Sequence, residues 1–167
     1  MNKLLSVILA VSISSGQSTG VTQLGVPSQN SIDNSPLTVT SIYDIQIAST
    51  AGSGDDCYSS SYDGQTVTVS ATVTGAENGK YYIKDKDGAW NGVYVYSSSQ
   101  SPAVGDSVEI TAEVDEYYGL TELKNVSAYS TISSGGTVTP TDISTGDLTG
   151  GCSATGEQWE GVLVKLT

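Results

Sequence analysis

The segment GQTVTVSATV, residues 64–73, alternates polar and apolar side chains without a break. A second segment, GDSVEITAEV at residues 105–114, matches it: both begin with Gly and share Val, Ala and Val at their fourth, eighth and tenth positions. A period of two residues is typical of a strand with one buried face. We therefore predict two long strands in equivalent roles, with the core residues Val67, Val69, Ala71 and Val73 in one and Val108, Ile110, Ala112 and Val114 in the other.

The stretch between them, KYYIKDKDGAWNGVYVYSSS at residues 80–99, predicts two further strands joined by a loop. Asn78-Gly79 just before it is a signal for a tight hairpin turn. A last barrel strand is predicted near Val126 to Ile132. Five strands with a long first strand predict an all-β fold, a small Greek-key barrel of the OB type.

Two segments flank this predicted barrel. SIYDIQIAS, residues 41–49, is predicted as a short strand or a leading turn. At the other end, WEGVLVKL from Trp159 to Leu166 predicts an extra C-terminal strand, and the OB-like domain is assigned to residues 41–167.

The first forty residues form an N-terminal extension. Residues 1–16 carry Lys3 and the apolar run Leu4 to Ile13, which is typical of a secretory signal peptide. The odd positions of that run are all apolar from residue 5 onward, so an apolar strand fits equally. The run is too short to span a membrane. Residues 17–40 are polar, with Gly, Ser and Pro, and predict a linker.

Charge and composition exclude several function classes. The chain has 18 acidic residues against 6 lysines, a formal net charge of −12, and no histidine. The absence of histidine excludes Ser-His-Asp and Cys-His catalysis and imidazole metal sites. The strong negative charge disfavours tight, salt-sensitive DNA binding by the chain as a whole. We expect no catalytic residues, no cofactor and no metal site, and therefore no enzyme.

The two cysteines, Cys57 and Cys152, both lie in polar, loop-like flanks. Two thiols cannot build a four-thiolate zinc site, and neither has a histidine to activate it. One disulfide is the simplest interpretation, and it indicates an oxidising compartment. Together with the apolar N-terminus, this predicts a secreted protein that is extracellular or at the cell surface.

The candidate ligand-binding surface is aromatic. If Tyr81, Ile83, Val93 and Val95 face the core, alternation leaves the outer face of the two middle strands to Tyr82, Lys84, Tyr94 and Tyr96, with Trp90 in the loop above. OB folds use this face for oligonucleotides or oligosaccharides, and tyrosines stack on bases and sugars. The alternative is that the tyrosines simply suit exposed strands and cross-strand pairs.

Several phrases resemble a known module. GQTVTVSATVTG, YYIKDKDGAWNGVYVYSS, PAVGDSVEITAEVDEYYGLTEL and EQWEGVLVKL together look like the OB-fold-like region of secreted bacterial endonuclease/exonuclease/phosphatase-type nucleases, over roughly residues 41–167. In that family the region precedes a separate catalytic domain, which has no counterpart here. The resemblance therefore implies an accessory binding module, and not a nuclease.

Two functions of different classes follow from these observations. The first is a non-catalytic, secreted OB-fold module that binds single-stranded nucleic acid or oligosaccharide. The second is a structural subunit of an extracellular filament or surface layer. Such a subunit would assemble by strand exchange through Leu4 to Ile13 and Trp159 to Leu166.

Overall fold

The computed structural model describes residues 38–48, 50–54 and 57–167. Over these ranges the strands are β1 (Thr66–Glu77), β2 (Lys80–Lys84), β3 (Gly92–Tyr96), β4 (Ser107–Tyr117), β5 (Leu120–Ser133), β6 (Thr141–Ile143) and β7 (Val164–Leu166). Two short helices, α1 (Ile42–Gln46) and α2 (Ala154–Glu157), precede β1 and β7. Among the residues in these ranges, no helix has the length and apolar character that a membrane crossing requires.

The signal peptide or apolar strand predicted for residues 1–16 lies outside the described residues. The same holds for the predicted linker over residues 17–40, except its last three positions.

Five strands close into a barrel in the order β1-β2-β3-β5-β4. Strands β3 and β5 pair in parallel, whereas the other neighbours in the ring are antiparallel. This is a five-stranded Greek-key barrel of the OB type, so the predicted all-β fold is confirmed. Closure leaves the barrel without a free edge along most of its length.

Strand β1 is long enough to pair with two other strands. Its first part, Thr66 to Thr72, pairs with β4, and its second part, from Thr72 onward, pairs with β2. The register with β2 shifts between Val73 and Gly75, where one extra residue bulges out of the ladder. A bulge of this kind bends a strand and increases its twist, which lets β1 turn from one neighbour to the other.

The core is built by the alternation that the sequence predicts. The predicted core positions of β1 and β4 are at most 6% exposed, and Tyr81, Ile83, Val93 and Val95 are fully buried. Burial of a side chain of this size stabilises a fold by about 1.5–3 kcal/mol. Burial also raises the pKa of Tyr81.

The prediction of a strand within residues 41–49 is wrong, because Ile42 to Gln46 form one helical turn. The hydroxyl of Ser41 accepts a hydrogen bond from the backbone N–H of Asp44 at 3.1 Å and caps that turn. Ile42 and Ile45, three residues apart, therefore point to the same side and are fully buried in the barrel core. In a strand these two residues would lie on opposite faces, so only the helical turn buries both of them in one core.

The last barrel strand is longer than predicted. It begins at Leu120, six residues before Val126. Its register with β4 shifts between Thr111 and Glu113, and Asn125 has a positive φ of 50°. Asn tolerates this conformation, so Lys124-Asn125, which is typical of a turn, is an irregularity inside a continuous strand.

The C-terminal strand is shorter than the predicted Trp159 to Leu166. Trp159 to Gly161 form a turn after α2, in which the Val162 N–H donates to the Trp159 carbonyl. Only Val164–Leu166 form strand β7, which pairs in parallel with β6. The prediction was wrong for the first half because Gly161 takes a positive φ of 66°, which ends any extended run.

The predicted disulfide between Cys57 and Cys152 is confirmed, with a Cα–Cα distance of 5.4 Å. It joins the loop before β1 to the segment that leads into α2. The C-terminal segment is therefore tied covalently to the chain that precedes the barrel.

Removing this disulfide should destabilise the protein strongly. The cross-link spans 95 residues, and in the chain-entropy model closing such a loop contributes up to about 4–5 kcal/mol. We expect the Cys57→Ser/Cys152→Ser variant to unfold at a lower urea concentration than the wild type, with a loss of free energy of unfolding of this order. Reduced wild-type protein serves as the control and should match the variant. Equal midpoints for variant and oxidised wild type would contradict the prediction.

Candidate ligand-binding cleft

An open cleft of about 940 Å³ lies on the outer face of β2 and β3. Its volume is in the range of small-ligand sites. The residues that line it come from the end of β1, from β2 and β3, and from the β4–β5 hairpin: Gly75, Ala76, Glu77, Asn78, Lys80, Tyr82, Tyr94, Tyr96, Tyr117, Leu120 and Glu122.

Two tight hairpin turns border the cleft. In the β1–β2 turn, Asn78 and Gly79 have φ values of 47° and 79°; in the β4–β5 turn, Tyr118 and Gly119 have values of 53° and 81°. Two successive positive φ values are what a type I′ turn requires. The sequence match between residues 64–73 and 105–114 is thus accompanied by the same type of turn at the ends of β1 and β4. The cleft lies between these two equivalent hairpins.

Three tyrosines form the floor of the cleft. Tyr82 and Tyr94 are cross-strand partners, with ring centroids 5.2 Å apart and ring planes tilted by 51°. Tyr96 is 54% exposed, and the ammonium of its cross-strand partner Lys80 lies 5.8 Å from its ring centroid. Such an arrangement keeps rings near each other while leaving their surfaces open to a ligand.

The structure brings together Tyr82, Tyr94 and Tyr96 from the predicted ligand-binding set, but not Lys84 and Trp90. Lys84 pairs with Gly92 at the opposite end of β2 from Lys80, about 13 Å along the strand at the usual rise per residue. Its ammonium binds the carboxylate of Asp87 at 2.6 Å and the carbonyl of Thr139 at 3.0 Å.

Trp90 lies beyond that same end of the hairpin. Its ring packs 6.0 Å from that of Tyr58, and its backbone N–H donates to the carbonyl of Gln158 at 2.7 Å. Its φ of 63° is rare for a bulky residue, so the loop that holds it is defined by tertiary contacts.

The C-terminal segment covers this second end of the β2–β3 face. Gly161 lies so close to Gly92 that a Cβ on either residue would overlap the backbone of the other. A smaller cavity of about 300 Å³ separates Tyr82 from Val162 and Leu163. The chain therefore occupies one half of the face with its own residues and leaves the tyrosine half open.

Among the lining residues that the sequence did not identify are Glu77, Tyr117, Leu120 and Glu122. Glu77 ends β1 beside the β1–β2 turn, whereas the other three belong to the β4–β5 hairpin, which is distant from β2 and β3 along the chain. The sequence similarity between residues 64–73 and 105–114 could have indicated a second hairpin beside the cleft. It places Tyr117-Tyr118-Gly119, to within one residue, at the position that corresponds to Asn78-Gly79. Tyr117 is 58% exposed and contacts Tyr118 edge-on, at 4.8 Å between centroids.

Carboxylates dominate the charge of the cleft. The Glu122 carboxylate lies across from Tyr94, and its pKa is raised by burial and then by the nearby Asp115. The pKa of Tyr94 is raised in turn, first by burial and then by Glu122. Asp115 itself binds the ammonium of Lys124 at 2.7 Å, so that lysine is engaged outside the cleft.

A second group of acids anchors the C-terminal turn. The Glu160 carboxylate accepts a hydrogen bond from the N–H of Thr121 at 3.0 Å, and Glu116 accepts from the N–H of Ser60 and the hydroxyl of Thr121, both at 2.7 Å. Burial raises the pKa of Glu160 to about 7, with further increases from Glu157 and Glu116. Burial also raises the pKa of Glu116 and of Glu157.

Among residues 38–48, 50–54 and 57–167, no cluster of three or more His, Cys, Asp or Glu side chains is arranged to hold a metal ion. Glu116 and Glu160 instead accept hydrogen bonds from backbone and hydroxyl groups. What the cleft offers chemically is ring surface, carboxylate acceptors and one ammonium.

Comparison with known proteins adds the following. No family model and no curated protein matches the chain. Among solved structures it is similar to the telomere capping protein Ten1 from Saccharomyces pombe, with a TM-score of 0.37, 16% identity, and coverage of 57% of this chain and 81% of that one. The S. pombe Stn1-Ten1 complex gives a TM-score of 0.38 at 16% identity, covering 59% and 79%.

A third similar structure is the aspartyl tRNA synthetase from Entamoeba histolytica. Its TM-score is 0.40 at 15% identity, over 83% of this chain and 30% of that one. At such scores a likeness carries no argument about function, so the OB assignment stands on the strand order. The predicted relation to secreted nucleases stays a prediction.

The raised pKa of Glu160 predicts a pH-dependent stability. The Glu160 carboxyl stays protonated up to about pH 7 in the folded protein, whereas in the unfolded chain it loses its proton near pH 4.5. The stabilisation that Glu160 contributes is therefore fully present below pH 4.5. It is lost as the pH rises towards 7, and the free energy of unfolding falls by up to about 3 kcal/mol. We expect Glu160→Gln to match the wild type at pH 4 and to exceed its free energy of unfolding at pH 8.

Urea titrations across this pH range measure the effect. Glu109→Gln, on the outer side of β4, is the matched control and should leave the pH profile of the wild type unchanged. A constant difference between Glu160→Gln and wild type at every pH would contradict the prediction.

Proposed function

We propose that this chain is a non-catalytic binding module that holds an extended ligand whose rings can stack on tyrosines, an oligonucleotide or a glycan, in the tyrosine cleft. The observation that carries the proposal is the position of the cleft. It lies on the face of strands 2 and 3, between the 1–2 and 4–5 hairpin turns, and OB folds bind chain-like ligands at this position.

The tyrosines supply the binding energy in this proposal. A ring stacked on a base is worth about 1–3 kcal/mol, and stacking tolerates different ligand sequences. Tyr82 and Tyr94 are held by their strands on both sides, so little conformational entropy is lost when a ligand stacks on them.

We also propose that the module acts outside the cytoplasm as an accessory part of a nuclease-like protein. The disulfide supports an oxidising compartment, and the resemblance to secreted nucleases supports the accessory role. Its own chemistry would then be limited to holding the ligand.

Loss of either of two cleft tyrosines should weaken binding. We expect Tyr82→Ala and Tyr94→Ala each to weaken ligand binding by about tenfold or more, at 1–3 kcal/mol per stacked ring. The control is Tyr118→Ala, whose side chain is 77% exposed and does not line the cleft. Calorimetry or NMR titration with single-stranded DNA and with oligosaccharides measures the effect. Tryptophan fluorescence is a poor reporter, because Trp90 lies at the other end of the hairpin.

Unchanged affinity in both cleft variants, with a native circular dichroism spectrum, would place the binding surface elsewhere and defeat the proposal.

A second candidate function is a structural subunit of an extracellular filament or surface layer. One observation favours it: within the described residues β6 and β7 form a two-stranded sheet, so each has an outer edge that no described strand pairs. Leu163 and Leu166 near that edge are 38% and 51% exposed. A strand from a second copy, such as the apolar segment Leu4 to Ile13, could add to the edge.

Size measurement tests this candidate. If it holds, the full chain should sediment as regular polymers, and deletion of residues 1–20 should leave monomers, because the added strand is gone. Leu166→Pro tests the acceptor edge, because residues 163 and 167 bond to β6 and the N–H of Leu166 therefore faces away from it. Leu166→Ala, which keeps that N–H, is its control. A full chain that sediments as a monomer at every concentration would exclude the subunit function.

A further inference from the structure

We infer that the cleft selects an uncharged oligosaccharide, and not a nucleic acid, through its two carboxylates, Glu77 and Glu122, and its tyrosine rings. The inference rests on the proposed binding function and names its ligand class. It is carried by three observations: the charges that line the cleft, the engagement of the lysines elsewhere, and the closure of one end of the face.

The negative charge of the residues that line the cleft disfavours the binding of a phosphate backbone. Glu77 and Glu122 both line the cleft, and in the described part of the chain Lys80 is the one cation among the lining residues. Glu122 is only 7% exposed, so water screens its charge poorly. A phosphate bound near this carboxylate would meet like charge in a partly desolvated place, within a chain of net charge −12.

The other lysines do not compensate. Lys84 is bound to Asp87 at 2.6 Å, Lys124 to Asp115 at 2.7 Å and Lys165 to Asp142 at 3.1 Å. Single-stranded nucleic acids are held by a positively charged groove that follows the backbone past the stacked bases. Lys86 lies in the β2–β3 loop, at the end of the hairpin opposite Lys80 and Tyr96. The described lysines therefore form no such groove beside the cleft tyrosines.

The same groups suit a sugar. The apolar face of a sugar ring packs on a tyrosine ring, and its hydroxyls donate hydrogen bonds to carboxylates, which are strong acceptors. Glu122 lies directly across the strand pair from Tyr94, and Glu77 lies across from Lys80. Across the strands, one row thus runs Glu77–Lys80–Tyr96 and the next runs Tyr82–Tyr94–Glu122. Each row joins ring surface to a carboxylate acceptor, and neighbouring strands are about 5 Å apart.

The closed end limits the length of the ligand. Val162 and Leu163 form a wall beside Tyr82, with only the smaller cavity between them. The open part of the face extends from Tyr82 towards Tyr96 and the two hairpin turns, a distance of only a few sugar rings. A ligand that needs to follow the whole β2–β3 face is therefore obstructed.

The test is a binding panel on the full chain. The probes are uncharged glucan, mannan and chitin-type oligosaccharides, sulfated oligosaccharides, and single-stranded DNA and RNA of about ten nucleotides. Each is titrated by calorimetry at low salt and at about 0.5 M salt. The variants are Tyr94→Ala, its control Tyr118→Ala, and Glu77→Gln/Glu122→Gln, which removes the two charges while keeping polar groups of the same shape.

We expect an uncharged oligosaccharide to bind with an affinity that changes by less than about twofold with salt, since no counterions are released. Tyr94→Ala should abolish this binding. The double Gln variant should weaken it by about three- to tenfold, because neutral acceptors replace charged ones.

The sign of the double-Gln effect separates the two ligand classes. Binding of oligonucleotides or sulfated sugars that is lost in Tyr94→Ala and strengthened by the double Gln variant would overturn this inference and leave the binding function standing. If no probe binds, or if binding is insensitive to Tyr94→Ala, both the inference and the proposed function fail.

Discussion

The rest of the structure depends on the pairing of one long, bent strand with two partners. Strand β1 forms a ladder with β4 through its first half and with β2 through its second half, and a bulge between Val73 and Gly75 lets it change direction. This brings β2 and β3 around to β5 and closes the ring. It also places the β1–β2 and β4–β5 hairpins on either side of the β2–β3 face. The cleft is thus a direct consequence of how the barrel closes.

The C-terminal segment decides how much of that face remains open. It is tied to the barrel by the Cys57–Cys152 disulfide, by the close contact of Gly92 with Gly161, and by the hydrogen bond from Thr121 to Glu160. It covers the end where Lys84 and Trp90 lie, and it leaves Tyr82 and Tyr96 exposed and Tyr94 half-buried. The C-terminal segment therefore sets how much of the β2–β3 face is open. If the face binds a ligand as proposed, this limits the length of the ligand, and the carboxylates on the open side select its charge.

Local pattern explains which parts of this structure were predictable. The alternation in β1 and β4 identified every core position in those strands, because a period of two is a property of the strand itself. The Asn78-Gly79 turn and the outward direction of Tyr82, Tyr94 and Tyr96 follow from the same rule. Helix α1 was missed because it is only one turn long, and a single pair of isoleucines three residues apart is too short a pattern to establish a helical period. The first part of β5 was missed because Lys124-Asn125 resembles a turn, although tertiary pairing carries the strand through it.

The sequence by itself determined the all-β barrel, its core, the cysteine pair and the negative charge, since each of these depends on residue type or on spacing within one segment. Only the tertiary structure decided the extent of the site. Glu77, Tyr117 and Glu122 come to the tyrosines from other strands, and Lys84 and Trp90 are removed from them by ion pairing and by the C-terminal segment. Several of these contacts join residues tens of positions apart, such as Tyr94 with Glu122 and Trp90 with Gln158, and their geometry is set by barrel closure, which no local period encodes.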